Sequence, residues 1–195
     1  ASVVGFAYVA NNSGMLLSAW TKFSALAALR GEDEALRVIR LSTGAIDGIE
    51  AFCRDHGIDC WFDRVGWIWG ATCAPQLGAW DDALKKLARH EYRPARPVSR
   101  DEITSLTGTK SHLAGVLDPS AATVHPGFLV RGLRRVAKEM GVRIYEKTAM
   151  TRFSRTGPLM IATSGGTVRA QKLVLAMNAW SAAILELAPA LFVIS

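Results

Sequence analysis

The hydrophobic period of this chain changes at Gly141. Before that glycine, apolar residues recur at three- and four-residue intervals, the spacing that lays one face of a helix on a core. After it they fall in short runs, interrupted by "RTGPLM" and "SGGT", which is the spacing of strands joined by tight turns. A chain patterned this way buries itself by laying helices on sheet, so the expected class is mixed α/β with α+β character, built in two layers. At 195 residues it is long enough to close a real core.

Four helices are expected before the change. Residues 33–56 carry Val38, Leu41, Ala45, Ile49 and Phe52 on one face, with Asp33 and Glu34 in the first turn and Gly57 as the stop. Pro75 opens a second helix to about residue 90, with Leu77, Trp80, Leu84 and Leu87 inward. Asp81 with Lys85 and Asp82 with Lys86 pair on its wet side. "VSRDEI" has the form of a capping box with its staple: Ser99 caps, Glu102 reaches back and Val98 packs on Ile103, in a helix ending near Gly108. Pro126 starts the fourth, with Leu129, Leu133, Val136, Ala137 and Met140 inward and Arg131, Arg134, Arg135 and Lys138 outward.

Strands are expected around Gly66 in "DCWFDRVGWIWGATC", in "HLAGVLDP", and at 142–146, 150–153, 159–163, 167–170 and 173–176. Gly165-Gly166 suits a two-residue hairpin turn, and "YRPARP" an extended connection.

Several function classes are excluded on residue pattern. The net charge of +6 is spread along the chain without a run of five basic residues, so no nucleic-acid footprint is formed. No apolar run reaches the roughly 18 residues of a membrane span, and "ASVVGFAYVA" lacks the basic start of a signal peptide. Cys53, Cys60 and Cys73 are odd in number and form no C-x-x-C, which fits free thiols in a reducing cytoplasm. His56, His90, His112 and His125 stand too far apart for a metal motif. No G-x-S-x-G, Walker loop or G-x-G-x-x-G occurs.

The segment "ATVHPGFLVRGLRRVAKEMGVRIYEKTAMTRFSRTGPLMIATSGGTVRAQKLVLAMNAW" carries more specific information. It resembles the middle of the FAD-dependent oxidoreductases of the D-amino-acid oxidase type, the family that includes glycine and sarcosine oxidases. The family's proline-started helix, "T-x-x-G" hairpin and closing "V-V-x-A-x-G-A-W" match Pro126, Gly141, Thr148, Met150, Thr163, Gly166, Ala170, Val174, Ala176, Asn178, Ala179 and Trp180. Upstream, "NNSGMLLSAW" resembles the "R-N-[SG]-G" loop that passes close to the flavin, and "HGID" with "WFDRVGWIWGAT" the entry to the substrate domain. The resemblance spans residues 9–187.

It implies a remnant of an FAD/NAD(P)-binding-type fold with a β-sheet substrate-binding subdomain. Residues 1–57 then hold the flavin loop and long helix, 58–122 the substrate-side strands and helices, and 123–195 the hairpin cluster and flavin-proximal strand. Hydride transfer from an amine or amino acid to FAD is the implied activity, with the flavin doing the difficult step. The implied cofactor contacts are Asn12, Ser13, Gly14, Met15, Met150, Ala176, Met177, Asn178 and Trp180, with Met150 meeting the adenine through its backbone. No residue is singled out as a catalytic base.

Two departures bear on this expectation. Ala7-Tyr8-Val9-Ala10-Asn11 replaces the family's small "G-A-S-G-R" run, so Tyr8 and Val9 would crowd a pyrophosphate. The pyrophosphate-gripping strand–turn–helix is also missing before Ala1, which reads as an internal fragment of a longer enzyme. A non-catalytic module that keeps the fold without its cofactor is the alternative. Trp61, Trp67 and Trp69 either wall a substrate cavity or belong to the core.

Overall fold

A computed structural model describes residues 13–190. The described residues fall into two units, 13–144 and 145–190.

In the first unit, β1 (Met15–Leu16) precedes two helices, α1 (Phe23–Arg30) and α2 (Glu32–Asp55). Strand β2 (Trp67–Ala71), helix α3 (Asp81–Arg89), strand β3 (Arg96–Val98) and helix α4 (Arg100–Thr107) follow. Then come β4 (Ala114–Asp118), β5 (Ala122–Thr123) and α5 (Pro126–Glu139). Strand β4 is central, antiparallel to β2 with Trp69 opposite Val116 and to β3 with Pro97 opposite Val116. Pro97 is tolerated because β3 is an edge, where a missing donor breaks no ladder.

One face of this sheet packs Ala71 and Val116, with half-buried Trp67 and Trp69, against Trp20, Phe23, Ala35, Ile39, Trp80, Ala83 and Leu87. A second core joins the end of α2 to α5 through Cys53, Ile58, Cys60, Val124 and Val136. Buried Asp118, at the end of β4, ties the sheet to the Ser18–Trp20 segment. It accepts from Ser18 Oγ and Trp20 Nε1, both at 3.0 Å, and from the Ser120 backbone N–H at 2.9 Å and Oγ at 2.6 Å.

The second unit is a three-stranded antiparallel sheet, β6 (Met150–Phe153), β7 (Leu159–Thr163) and β8 (Gly166–Ala170), followed by 3-10 turns at Asn178–Ala183 and Ala188–Ala190. Mixed helix and sheet is the expected class, and every strand pair among the described residues is antiparallel.

The cap at Ser99 forms as expected. Its Oγ accepts from the Glu102 N–H at 3.2 Å, and Gly108 ends the helix with φ 74°, while the Glu102 carboxylate pairs with Arg96. Ser99→Ala is expected to lose about 1 kcal/mol in urea unfolding; an unchanged midpoint would show that this helix end does not need its cap.

Several expectations need correction. Helix α1 was not foreseen. Helix α2 buries Ala35, Ile39, Ile46 and Cys53 and leaves Leu41 58% exposed, so the inner stripe sits one residue round from the expected one. The helix spans both cores, and those partners, not its own apolar count, select the face. Helix α3 begins at Asp81, since Gly78 at φ 77° interrupts the run from Pro75 and leaves Leu77 exposed. Gly66, at φ 75°, precedes the single strand β2.

In α5, Val136 is buried and Phe128 and Leu129 pack on the second core, whereas Leu133 and Met140 are exposed. Residues 142–146 and 173–176 are not strands, because a strand exists only by pairing and no described strand lies beside them. In the β7–β8 hairpin Thr163 faces Gly166, so Ser164 and Gly165 make the turn and Gly166, at φ 140°, opens β8.

Candidate functional site

Gly14 is the most constrained of the expected cofactor contacts. It sits at φ 74°, and a Cβ there would lie 2.1 Å from the Val124 carbonyl oxygen and 3.1 Å from the Pro126 ring. Its own carbonyl accepts from the Val124 N–H at 2.9 Å. Met15 and Leu16 then pair with Thr123 and Ala122. The short ladder holds Gly14 buried while Ser13 and Met15, on either side, stay exposed. Asn12 lies outside the described residues, as do Ala7, Tyr8, Val9, Ala10 and Asn11.

The remaining expected contacts belong to the second unit. Met150 opens β6 opposite Thr163 and is half-buried. Ala176 is exposed and Met177 half-buried, and the Trp180 N–H donates to the Met177 carbonyl at 3.1 Å in the first 3-10 turn. Asn178 has φ 49°, in the left-handed region that glycine and, among other residues, asparagine adopt most readily. This is the place of the glycine in "A-x-G-A-W", so the substitution keeps the backbone conformation that the glycine would supply. Trp180 is half exposed. Arg155 forms a two-point pair with Glu186, one contact at 2.9 Å, tying the β6–β7 turn to the segment after Trp180. That guanidinium holds the Glu186 carboxyl down at about 2.

The structure brings Ser13, Gly14 and Met15 together in the first unit, and Ala176, Met177, Asn178 and Trp180 in the second. Trp67 and Trp69 pack on the first core, their rings stacked at 6.1 Å, so they are core residues. Trp61 is different: it is exposed, at φ 53°, and meets His125 and Phe128 edge-on at 5.2 and 5.0 Å.

His125, excluded from a metal motif by its spacing, has a structural place at the head of α5. It caps α5, its Nδ1 accepting from the Phe128 N–H at 3.2 Å, and its own N–H donates to the Cys60 carbonyl at 2.7 Å. The signal available was its place directly before Pro126, where an N-cap residue stands. Arg135, expected outside, reaches the end of α2, donating to the carbonyls of His56 at 2.6 Å and Gly57 at 3.3 Å. Among the described residues no group of histidine, cysteine and carboxylate side chains could hold a metal ion, and no helix is long and apolar enough to cross a membrane.

Cys53 and Cys60 are buried with their sulfurs 3.6 Å apart, and Cys73 is exposed; all three are free thiols. Burial, then the neighbouring Cys60, pushes the Cys53 thiol up to about 11.

Comparison with known proteins places the chain in a family. A family model described as FAD dependent oxidoreductase matches residues 2–193. Gamma-glutamylputrescine oxidoreductase of Escherichia coli (strain K12) is 24% identical over 181 residues, covering 92% of this chain and 42% of that protein. A probable oxidoreductase, OrdL, of Rhizobium meliloti (strain 1021) is 25% identical over 151 residues, 77% of this chain and 35% of its own length. Among solved structures, glycine oxidase from Geobacillus kaustophilus superposes with a TM-score of 0.73 at 21% identity, over 89% of this chain and 46% of that one. L-proline dehydrogenase from P. horikoshii gives 0.66 at 16% identity, over 77% and 41%. The chain thus spans less than half the length of these relatives, and it belongs to the FAD-dependent oxidoreductase family.

Proposed function

We propose that the protein carrying this chain oxidises a small amine or amino acid, and that the chain supplies part of its flavin pocket and its substrate-side subdomain. The observation that carries the reading is Gly14. A left-handed, buried glycine packed against Val124 and Pro126 fixes the backbone between exposed Ser13 and Met15. A loop held in one conformation in this way supports a reading in which a cofactor lies along exposed Ser13 and Met15. The left-handed Asn178 between exposed Ala176 and Trp180 has the same character.

In this reading FAD, when bound, accepts the hydride from the carbon bearing the amine. Ser13, Gly14 and Met15, with Asn12, hold the cofactor along the β1 loop. Met150, Ala176, Met177, Asn178 and Trp180 are the other proposed FAD contacts, Met150 through its main chain. The division into 1–57, 58–122 and 123–195 is part of the same proposal. So is a cytoplasmic location, supported by three cysteines that remain free. The names of the relatives, which include a glycine oxidase and a gamma-glutamylputrescine oxidoreductase, support amine or amino-acid substrates.

The test is the visible spectrum of the purified full-length protein. Bound-flavin bands that bleach without oxygen when a small amine or amino acid is added are the expected result. A colourless protein that takes up no added FAD would overturn the proposal and favour the cofactor-free module.

A further inference from the structure

The first unit holds two thiols for which the flavin reading has no use. Cys53 closes the last turn of α2 and Cys60 lies on the segment leading to β2; both are nearly inaccessible, at 4% and 1% exposure. The Cys60 thiol is in S–H···S contact with Cys53 at 3.6 Å, and Ile58, Val124 and Val136 wall the pair with apolar atoms. The connection between them is short: the exposed end of α2 at 54–55, an exposed turn at 56–57, then Ile58 and Asp59. It bends at Gly57, φ 58°, and is pinned by Ile58 N–H to the Cys53 carbonyl at 2.8 Å and by Arg135.

We propose that Cys53 and Cys60 form a reversible redox pair that closes to an intramolecular disulfide under hydrogen peroxide or a comparable two-electron oxidant. One sulfur, as thiolate, attacks a peroxide oxygen; the O–O bond breaks, leaving a sulfenic acid and releasing water after protonation. The second sulfur attacks the first, the S–O bond breaks, and the hydroxyl leaves as a second water with the remaining thiol proton. Two thiols and one peroxide give one disulfide and two waters. The sulfurs need to approach from 3.6 Å to the roughly 2.05 Å of a disulfide. Burial holds the Cys53 thiol protonated at neutral pH, so opening of the 54–57 connection limits the rate and the pair remains reduced at low oxidant.

The placement gives this closure a consequence. The Cys60 carbonyl accepts from the His125 N–H, and the adjoining Val124 N–H holds Gly14. A shift of Cys60 therefore acts on the junction that sets the β1 loop.

The test uses the full-length protein carrying Cys73→Ser, which removes the exposed thiol. After excess hydrogen peroxide and quenching, the protein is denatured, alkylated and peptide-mapped. The expected result is simultaneous loss of both alkylation sites, one peptide pair linked through Cys53 and Cys60, and recovery of both thiols with dithiothreitol. Two sites that remain fully alkylated, a sulfinic acid at either cysteine without the linked pair, or disulfides only between molecules would each overturn the proposal. Adding Cys60→Ser should abolish the link and leave a dimedone-reactive sulfenic acid at Cys53.

Discussion

Gly14→Ala is expected to destabilise the protein by about 3 kcal/mol, the combined effect of a left-handed backbone that alanine resists and a steric clash. A methyl group would have to stand 2.1 Å from the Val124 oxygen, well inside van der Waals contact, and that oxygen belongs to main chain. Neither side can yield without breaking the Val124-to-Gly14 hydrogen bond or the β1–β5 pairing.

A matched control lies in α2. Gly44 is exposed in mid-helix with open space where its Cβ would stand. Gly44→Ala is expected to stabilise by about 0.5–1 kcal/mol, because alanine loses less backbone entropy on entering a helix. Urea unfolding followed by circular dichroism measures both. A Gly14→Ala protein as stable as the parent would remove the structural basis for the pinned β1 loop. If the loop also carries FAD, the same variant retains less flavin at equal protein concentration.

Asp118→Ala is expected to cost roughly 4 kcal/mol, because it strips the acceptor from several donors at once. Ser18 and Trp20 are buried, so their hydroxyl and indole N–H have no water to turn to when the carboxylate is gone. Asp118→Asn keeps one oxygen but turns an N–H₂ group toward donors, so about half that loss is expected. The ordering of the two variants is the informative part. If alanine is no worse than asparagine, the site is repaired by solvent and the carboxylate is not the tie between β4 and the Ser18–Trp20 segment.

Much of the helical architecture was legible because helix signals are local. The dipole-matched first turn of α2, the Ser99 cap with its Gly108 stop, and Pro126 at the head of α5 each act within one or two turns of chain. The hairpin strands β6, β7 and β8 were legible for the same reason: their partners are sequence neighbours. Residues 173–176 read as a strand by composition, yet Val174 is 86% exposed and pairs with nothing described, since β-propensity expresses itself only on a neighbouring strand.

The candidate site divides along the same line. That a glycine follows Ser13, and that small residues and Asn178 precede Trp180, is written in the sequence together with the family resemblance. Why Gly14 must be glycine is not, because its constraint comes from Val124 and Pro126, more than a hundred residues away. His125 as a helix cap, Arg135 on the carbonyls of α2 and the Cys53–Cys60 contact are equally long-range or geometric. By itself the sequence determined the mixed class, the capped helices, the local hairpins and the resemblance to FAD-dependent oxidoreductases. The tertiary structure alone decided which helix faces are buried, where the strands find partners and which backbone positions are pinned, because those depend on surfaces that meet only when distant segments pack.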